Sequence, residues 1–496
     1  MVAPEPDGRT MFKILKGAAG DGVGARLGTL SLPKRRPLDT PNFIGLTARG
    51  AVPHLTPDNV TKQSELGGVY VALEDFMETT RKKLYPPLLK MTSEDISPLH
   101  AFTATPSHMF TILGARRHPA INSPLGNAKD SVSIFTSTGF LKLTNEAYIQ
   151  SVDAVRPDVV VPLADMTYSR NTVFTETKRR TNVTRSKRQL RMVERTEDWL
   201  AEFFEASADR QDENAPAVFA PLLPVSYSTQ WEYFNQLEKD FAPKLSGLAV
   251  YDADVLPDLS NHSPLVPLPR LSLDFTATPQ EVLRQVHLGM DIFTVSFLNT
   301  ISDAGIALSF TFPPPPDSTP GIKPLGINMW SPEHEAAVKP IVEGCKCYAC
   351  TKHHRAFLHH LLNAKEMLGW TLLQVHNHQV ISDFFAGIRA SLKADPPTFE
   401  KGCGEFARVY DSELPAGTGT RPRARGYHFK SEGGDDKINA PAWEKYGPDS
   451  DPALAGEMAG LAVTGAAAEG GNETPLVPDV DAAELDKQGF AEISKP

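Results

Sequence analysis

Three of the four cysteines in this chain fall within six residues, as Cys345-Lys-Cys347-Tyr-Ala-Cys350, and His376 follows 26 positions after the last of them. Three thiolates and one imidazole fill the tetrahedral shell of Zn²⁺. Four protein ligands leave no open position for water, so the chemistry to expect is structural rather than hydrolytic. The alternative is a chance cluster of reduced cysteines, which spacing this tight disfavours. His353, His354, His359, His360 and His378 also lie in this stretch. His376 is preferred as fourth ligand, with His378 next, because a ligand from a second helix pins two segments that would otherwise separate. One structural zinc per chain is therefore expected.

The elements that must position this cluster are read from periodicity. A helical run from Arg355 to Leu373 carries the chain from the cysteines to the histidines. Upstream, Pro157-Asp-Val-Val-Val-Pro-Leu-Ala-Asp165 reads as a buried strand ending on a carboxylate, and Leu245 to Asp252 repeats that form. Met11 to Leu15, Asn42 to Leu46, Val132 to Thr136, Ile292 to Leu298 and Ile306 to Phe312 are further strand expectations. Thr144 to Val152 is expected to be helical, and Thr56-Pro-Asp-Asn59 starts a helix with proline at its first position. Thr278-Pro-Gln-Glu281 is a capping box leading a helix with apolar face Val282, Leu283, Val286 and Met290. Strands alternating with helices over about 300 residues favour an α/β fold, a (β/α)₈ TIM-type barrel with a zinc-binding subdomain towards its C-terminal side. A doubly wound sheet is the fallback, but no Gly-x-Gly-x-x-Gly turn follows any of these strands.

Composition sets the outer limits. With 496 residues and 41% hydrophobic content, the chain can bury a sizeable core. Only Cys403 remains beside the cluster, so no disulfide framework exists and a reducing compartment is expected. No apolar run is long enough to span a membrane, and Met1-Val-Ala-Pro-Glu-Pro-Asp has no secretory h-region. Residues 412–496 hold 8 basic and 15 acidic groups, a net of −7, which leaves −3 of the chain's −10 for the body. They are expected to be a mostly disordered tail rich in Gly, Ala and Pro, with Ala459 to Gly471 of low complexity and Ala482 to Ile493 the candidate for a short docking helix. The expected division is a flexible 1–10, a barrel over 11–411 that includes the zinc region 345–390, and the tail. Ala206 to Ala217 reads as an exposed insertion, and Pro313 to Pro316 as a stiff polyproline segment. Lys178, Arg179, Arg180, Arg185, Lys187, Arg188, Arg191 and Arg195 place eight cations in 18 residues. At helical spacing they would line a phosphate backbone or meet an acidic protein; the bland alternative is a solvated helix face paired with Glu194, Glu197 and Asp198.

The cysteine-histidine spacing, with Phe357-Leu-His-His-Leu-Leu and Leu373-Gln-Val-His-Asn around the ligands, resembles the tRNA-guanine transglycosylase family over most of residues 11–411. Members exchange the wobble guanine of tRNA for a deazaguanine base, queuine in eukaryotes, using one aspartate as nucleophile and a second as acid/base. By this resemblance the nucleophile should follow Gly289-Met-Asp-Ile-Phe293, where Thr294 stands, and Val295-Ser-Phe-Leu-Asn299 replaces the expected Pro-Thr-Arg. The Asp-Ser-Gly-Gly-Phe-Gln motif corresponds to Thr136-Ser-Thr-Gly-Phe-Leu141. A threonine without an adjacent base is a poor nucleophile and does not stabilise an oxocarbenium-like centre. Asp165 sits where the family contacts the purine, and Gly247-Leu-Ala249 resembles its backbone wall, but Ala220-Pro-Leu-Leu-Pro224 lacks the recognition glutamine.

The resemblance therefore implies no catalytic residues and a non-catalytic accessory subunit. Its partner would be the catalytic queuine tRNA-ribosyltransferase subunit, in a heterodimer that modifies tRNAs with a GUN anticodon. Contact would run through residues around 345–390, with Lys178, Arg179, Arg180, Arg185, Lys187 and Arg188 as candidates for tRNA or partner contact. It also implies a cytoplasmic protein with peripheral association at the mitochondrial outer membrane, made through a partner because nothing here encodes an anchor. Two rivals stand beside it: an active transglycosylase that recruits Asp165, Asp291 or Asp303, and a homodimeric zinc-containing RNA-binding protein. An unrelated zinc ribbon would carry a second Cys-x-x-Cys, which is absent.

Overall fold

The computed structural model describes residues 11–17, 23–77, 86–92, 96–121, 123, 126–136, 139–166, 186–207, 215–315, 321–420 and 422. Eight strands, Asn42–Leu46 (β1), Gly68–Ala72 (β2), Phe110–Gly114 (β3), Val159–Val160 (β4), Ala217–Leu222 (β5), Gly247–Val250 (β6), Arg270–Ser272 (β7) and Ile292–Thr294 (β8), pair in parallel and close into a barrel through β8 and β1. Helices run between and after them: Pro57–Gln63 (α1), Pro98–Thr103 (α2), Asn145–Val155 (α3), Ser186–Ala206 (α4), Tyr227–Gln236 (α5), Pro279–His287 (α6), Ser296–Asp303 (α7), Tyr348–Lys352 (α8), Arg355–Asn363 (α9), Met367–Ala394 (α10) and Pro396–Val409 (α11). A 3-10 helix, Ala253–Asn261, stands in for the helix after β6. This is the α/β barrel expected from the alternation of elements.

Both faces of the strands are apolar because one fills the barrel and the other meets helices. Ile44, Tyr70, Ile112, Val159, Phe219, Leu271 and Ile292 form the interior cluster. Phe43, Val69, Leu113, Val160, Leu248 and Phe293 pack outward. Inside the barrel large rings need empty space opposite, which explains two glycines. A Cβ on Gly68 would lie 2.5 Å from the Phe110 ring, and one on Gly247 2.6 Å from the Phe219 ring.

An antiparallel sheet, Met11–Lys16, Leu27–Ser31 and Leu38–Thr40, closes the N-terminal end, its Leu30 and Leu38 joining the interior cluster. Arg26 from this sheet region meets Asp291, just before β8, at 2.6 Å with both side chains buried. The same carboxylate accepts from the Arg270 amide at 2.8 Å.

Several elements differ from the sequence expectation. The run to Asp165 is a ladder only over Val159–Val160, because Pro162 has no N–H to donate. Ile292 to Leu298 splits into β8 and α7, whose buried Phe297, Leu298 and Ile301 follow helical spacing; a short apolar run does not by itself distinguish the two. Ser131–Thr136 forms a hairpin with Gly139–Thr144 outside the barrel. Ile306–Leu308 likewise pairs antiparallel with Gly326–Asn328 after the eighth strand, so the strand expected to Phe312 stops early. The helical run from Arg355 breaks at Lys365, whose φ is 58°, and the histidine triplet lies inside the second helix. The expected capping bond is made, Thr278 Oγ1 accepting from the Glu281 amide, while the Glu281 carboxylate turns to Arg284 instead.

Candidate metal centre and barrel mouth

Gly344, at φ 79°, turns the chain into the cysteine loop. Cys347 then acts as N-cap of α8, its Sγ accepting from the Cys350 amide at 3.3 Å. This short helix brings Cys350 back to the first two sulfurs, and His376 arrives from the middle of α10. The Nδ1 of His376 lies 3.7 Å from Cys345 Sγ, 3.6 Å from Cys347 Sγ and 3.4 Å from Cys350 Sγ. A tetrahedral zinc with its usual S and N bond lengths would separate S and N by about 3.6 Å. All four ligand atoms lie within 4.8 Å of one another, so the cluster can hold a metal ion.

Two further features fit a cation. His376 Nε2 donates to the Leu308 carbonyl at 2.8 Å, which fixes the tautomer and aims the Nδ1 lone pair at the sulfurs. Burial lowers the His376 pKa, but the Cys345 and Cys350 sulfurs outweigh it and hold the imidazole up at about 9, so a metal ion bound at Nδ1 would take the place of a proton. Hydrogen bonds among the three sulfurs push the Cys345 thiol down and the Cys347 thiol up, so the cluster shares negative charge where a cation would sit. A bound zinc would supply a crosslink between the loop and α10.

His378 faces elsewhere. Its Nε2 lies 3.1 Å from Gln374 Nε2 and its ring packs on Phe43, and burial pushes its pKa down to about 4. His353, His354, His359 and His360 are also outside the four-ligand cluster.

At the C-terminal ends of the strands the barrel mouth is built from side chains that hold one another. Asp165 is fully buried and accepts from Asn127 Nδ2 at 2.6 Å, Arg188 at 2.6 Å and Arg195 at 3.0 Å. Arg188 and Arg195 are seven positions apart and so share one face of α4. Two cations of the basic run are thus turned inward; Lys187 is exposed, and Lys178, Arg179, Arg180 and Arg185 lie outside the described residues. The spacing of seven was the available sequence signal, but nothing local names the carboxylate they meet.

The neighbouring carboxylates are equally engaged. Glu74 accepts from the amides of Arg117 and Phe135, both at 2.8 Å, and burial raises its pKa against the pull of Arg117. Asp75 pairs with Arg117 at 2.6 Å. Asp303 meets His54 at 2.6 Å at the end of α7, and Asp291 is at the opposite end of the barrel. Thr294 is fully buried with Oγ1 donating to the Ser272 carbonyl at 2.6 Å, and Thr136 Oγ1 donates to the Gly139 carbonyl at 2.9 Å. The cavity between Tyr70, Arg116, Arg117, His118, Met166 and Tyr251 measures about 30 Å³. That is room for about two waters, whereas small-molecule sites begin at about 300 Å³.

Against this geometry, the sequence model described as queuine tRNA-ribosyltransferase matches residues 21–412. The chain belongs to the queuine tRNA-ribosyltransferase family. It is 34% identical over 444 residues to the queuine tRNA-ribosyltransferase accessory subunit 2 of Schizosaccharomyces pombe, covering 89% of this chain and 94% of that one. Proteins of the same name from Danio rerio, 27% identical over 425 residues, and Drosophila grimshawi, 28% over 390 residues, each match 75% of this chain and cover 94% and 87% of their own lengths. The four-ligand cluster and the filled mouth are therefore features of a queuine tRNA-ribosyltransferase family barrel.

Proposed function

We propose that this chain is the non-catalytic accessory subunit of a queuine tRNA-ribosyltransferase, acting with a homologous catalytic subunit in exchanging the wobble guanine of tRNA for queuine. The observation that carries the proposal is the state of the mouth. The positions matched to the family's two aspartates are Thr294 and Thr136, with hydroxyls bonded to backbone carbonyls. The three carboxylates that might have been recruited instead are committed: Asp165 to two arginines, Asp303 to His54, and Asp291 to Arg26 at the far end. A nucleophile displaced by even about 1 Å loses orders of magnitude in rate. The names of the relatives support the same reading.

In this proposal Cys345, Cys347, Cys350 and His376 hold one structural zinc, and the lobe around it meets the catalytic subunit. Val338, Tyr348, Met367 and Leu368 of this region are 79%, 43%, 57% and 45% exposed, apolar surface of the kind that partners cover. The basic run, with Lys187 and Arg191 its described exposed members, would contribute to tRNA binding. The barrel is taken to extend over residues 11–411 with the tail beyond it, and the location to be the cytoplasm, with peripheral attachment to the mitochondrial outer membrane through a partner. Among the described residues no helix is long and apolar enough to cross a membrane.

The test is transglycosylation of a queuosine-family tRNA by this chain, by its catalytic homologue, and by the mixture. Activity from the mixture alone is expected. Activity from this chain alone overturns the proposal, and a stable homodimer indifferent to the catalytic homologue would favour the RNA-binding alternative.

A further inference from the structure

Beyond the end of α11 the chain does not leave the barrel at once. Residues 410–420 run back over the hairpin formed by Ile306–Leu308 and Gly326–Asn328. Lys323 N donates to the Val409 carbonyl at 2.8 Å, and Asp411 N donates to the Lys323 carbonyl at 2.9 Å. The Asp411 carbonyl accepts from Gln280 Nε2 at 2.6 Å, and Thr418 Oγ1 from Asn328 Nδ2 at 2.9 Å. Leu414 packs against the main core cluster.

Two glycines make the seat specific. A Cβ on Gly417 would collide with the Ala304 carbonyl, and one on Gly419 with the Trp330 indole. That indole donates Nε1–H to the Ala304 carbonyl at 2.9 Å and leaves no room for a Cβ on Gly305 either. Trp330 is therefore held between two glycine backbones, one from the barrel and one from the strap. Most of this strap lies past residue 412, where the family match ends.

The other side of the same hairpin carries the metal centre's support. Leu308 accepts from His376 Nε2 at 2.8 Å and donates its amide to Asn377 Oδ1 at 2.8 Å, while the Ile306 carbonyl accepts from Asn377 Nδ2 at 3.0 Å. The hairpin thus lies between the strap and the helix that supplies the imidazole.

We propose that the strap at residues 411–420 is a brace for the metal centre: by clamping Asn328 and Trp330 it fixes the hairpin whose Leu308 carbonyl orients His376. Gly417, Thr418, Gly419 and Trp330 are positioning residues in this scheme, acting on the metal through Leu308. The proposal rests on the zinc reading given above. Loss of such outer support typically weakens metal binding 10- to 100-fold, and an indirect brace belongs at the lower end, about tenfold.

The experiment compares the full chain with truncations after Pro422 and after Asp411, and with Gly419→Val, Thr418→Val and Trp330→Ala. Zinc content is measured by mass spectrometry and zinc release by transfer to a chromophoric chelator. The truncation after Pro422 should release zinc as the full chain does, and the truncation after Asp411 and Gly419→Val about tenfold faster. Thr418→Val, which keeps shape and removes one hydrogen bond, should release it a few-fold faster while the far-UV circular dichroism is unchanged. In the Trp330→Ala background Gly419→Val should add little, because the collision partner is gone. Equal release from both truncations, in chains that each hold one zinc, overturns the brace. A full chain without zinc would sink the metal reading instead; amide exchange at 306–308 and 326–330 then decides the brace, faster exchange in Gly419→Val supporting it and unchanged exchange refuting it.

Discussion

Replacing Thr294 with aspartate asks whether this barrel is one residue away from an enzyme. Thr294 is fully buried, and its Oγ1 donates to the Ser272 carbonyl at 2.6 Å. An ionised carboxylate has no proton to give, so the variant sets a negative charge against a carbonyl dipole where water does not reach. An uncompensated buried charge costs about 3–5 kcal/mol. At about 1.4 kcal/mol per tenfold change in proton affinity, that cost lifts the introduced carboxyl from about 3.9 to about 6–7.5 in the folded chain. A carboxyl whose folded pKa is raised carries no penalty below its unfolded pKa and the full penalty above its folded one. The stability deficit should thus be near zero at about pH 4 and reach about 3–5 kcal/mol by about pH 8. Near neutrality much of the group is protonated and is no nucleophile. Urea unfolding of wild type and Thr294→Asp at the two pH values measures the deficit, and transglycosylation by the isolated chain measures the gain, expected to be nil even with Thr136→Asp added. A deficit that does not change with pH, or turnover by either variant alone, would refute the reasoning.

Three other outcomes are expected. Cys350→Ser, or a strong chelator, should remove the zinc and lower the melting temperature, and zinc retention in the wild type should fall with acidification because the thiolates must be deprotonated to bind; metal content against pH checks both. Asn377→Leu should cost about 2–6 kcal/mol in chemical denaturation, since the Leu308 amide and the Ile306 carbonyl each lose a buried partner. Asp165→Leu should cost about 3–5 kcal/mol by leaving two guanidinium groups facing each other, whereas Arg188→Ala, whose side chain is 24% exposed, should cost about 1 kcal/mol; the reverse order would mean that the arginines do not anchor on Asp165.

How much of this was legible in the chain depended on whether the signal was local. The cysteine loop and the caps at Thr56, Thr144 and Thr278 are written in consecutive residues, and each side chain accepts from the amide three positions on. Periodicity does not reveal β2, β3, β5 or β7. Gly68-Val-Tyr-Val-Ala is buried at every position and has no alternation to reveal it. Ile306–Leu308 has the composition of a barrel strand, but closure by β8 on β1 leaves no place for a ninth, and composition does not count strands. The basic run is the clearest case of a signal read too locally. Glu194, Glu197 and Asp198 lie beside its last two arginines, yet Arg188 and Arg195 turn to Asp165, more than twenty positions earlier, because a buried carboxylate needs them and solvated ones do not.

The metal centre and the mouth rest on separate sets of side chains. At 28 residues α10 is about 42 Å long and lies along the outside of the barrel where it closes. Phe385 packs on Phe43 of β1 and Phe293 of β8, with ring centroids 5.7 and 5.3 Å apart, and Arg389 donates to the Pro41 carbonyl at 2.8 Å. Thr371 reaches the His54 carbonyl at 3.0 Å. The metal ligands bond to one another and to Leu308, while Asp165 and Thr294 bond to Asn127, Arg188, Arg195, Thr196 and Ser272. Thr294 itself pairs with Ile44 across the seam between β8 and β1, so its side chain can change while the backbone ladder there is kept and α10 supports the seam from outside. Losing the cysteine cluster would free α10 from the loop and loosen that seam. On the proposed accessory role, assembly depends on that support and not on a nucleophile at the mouth.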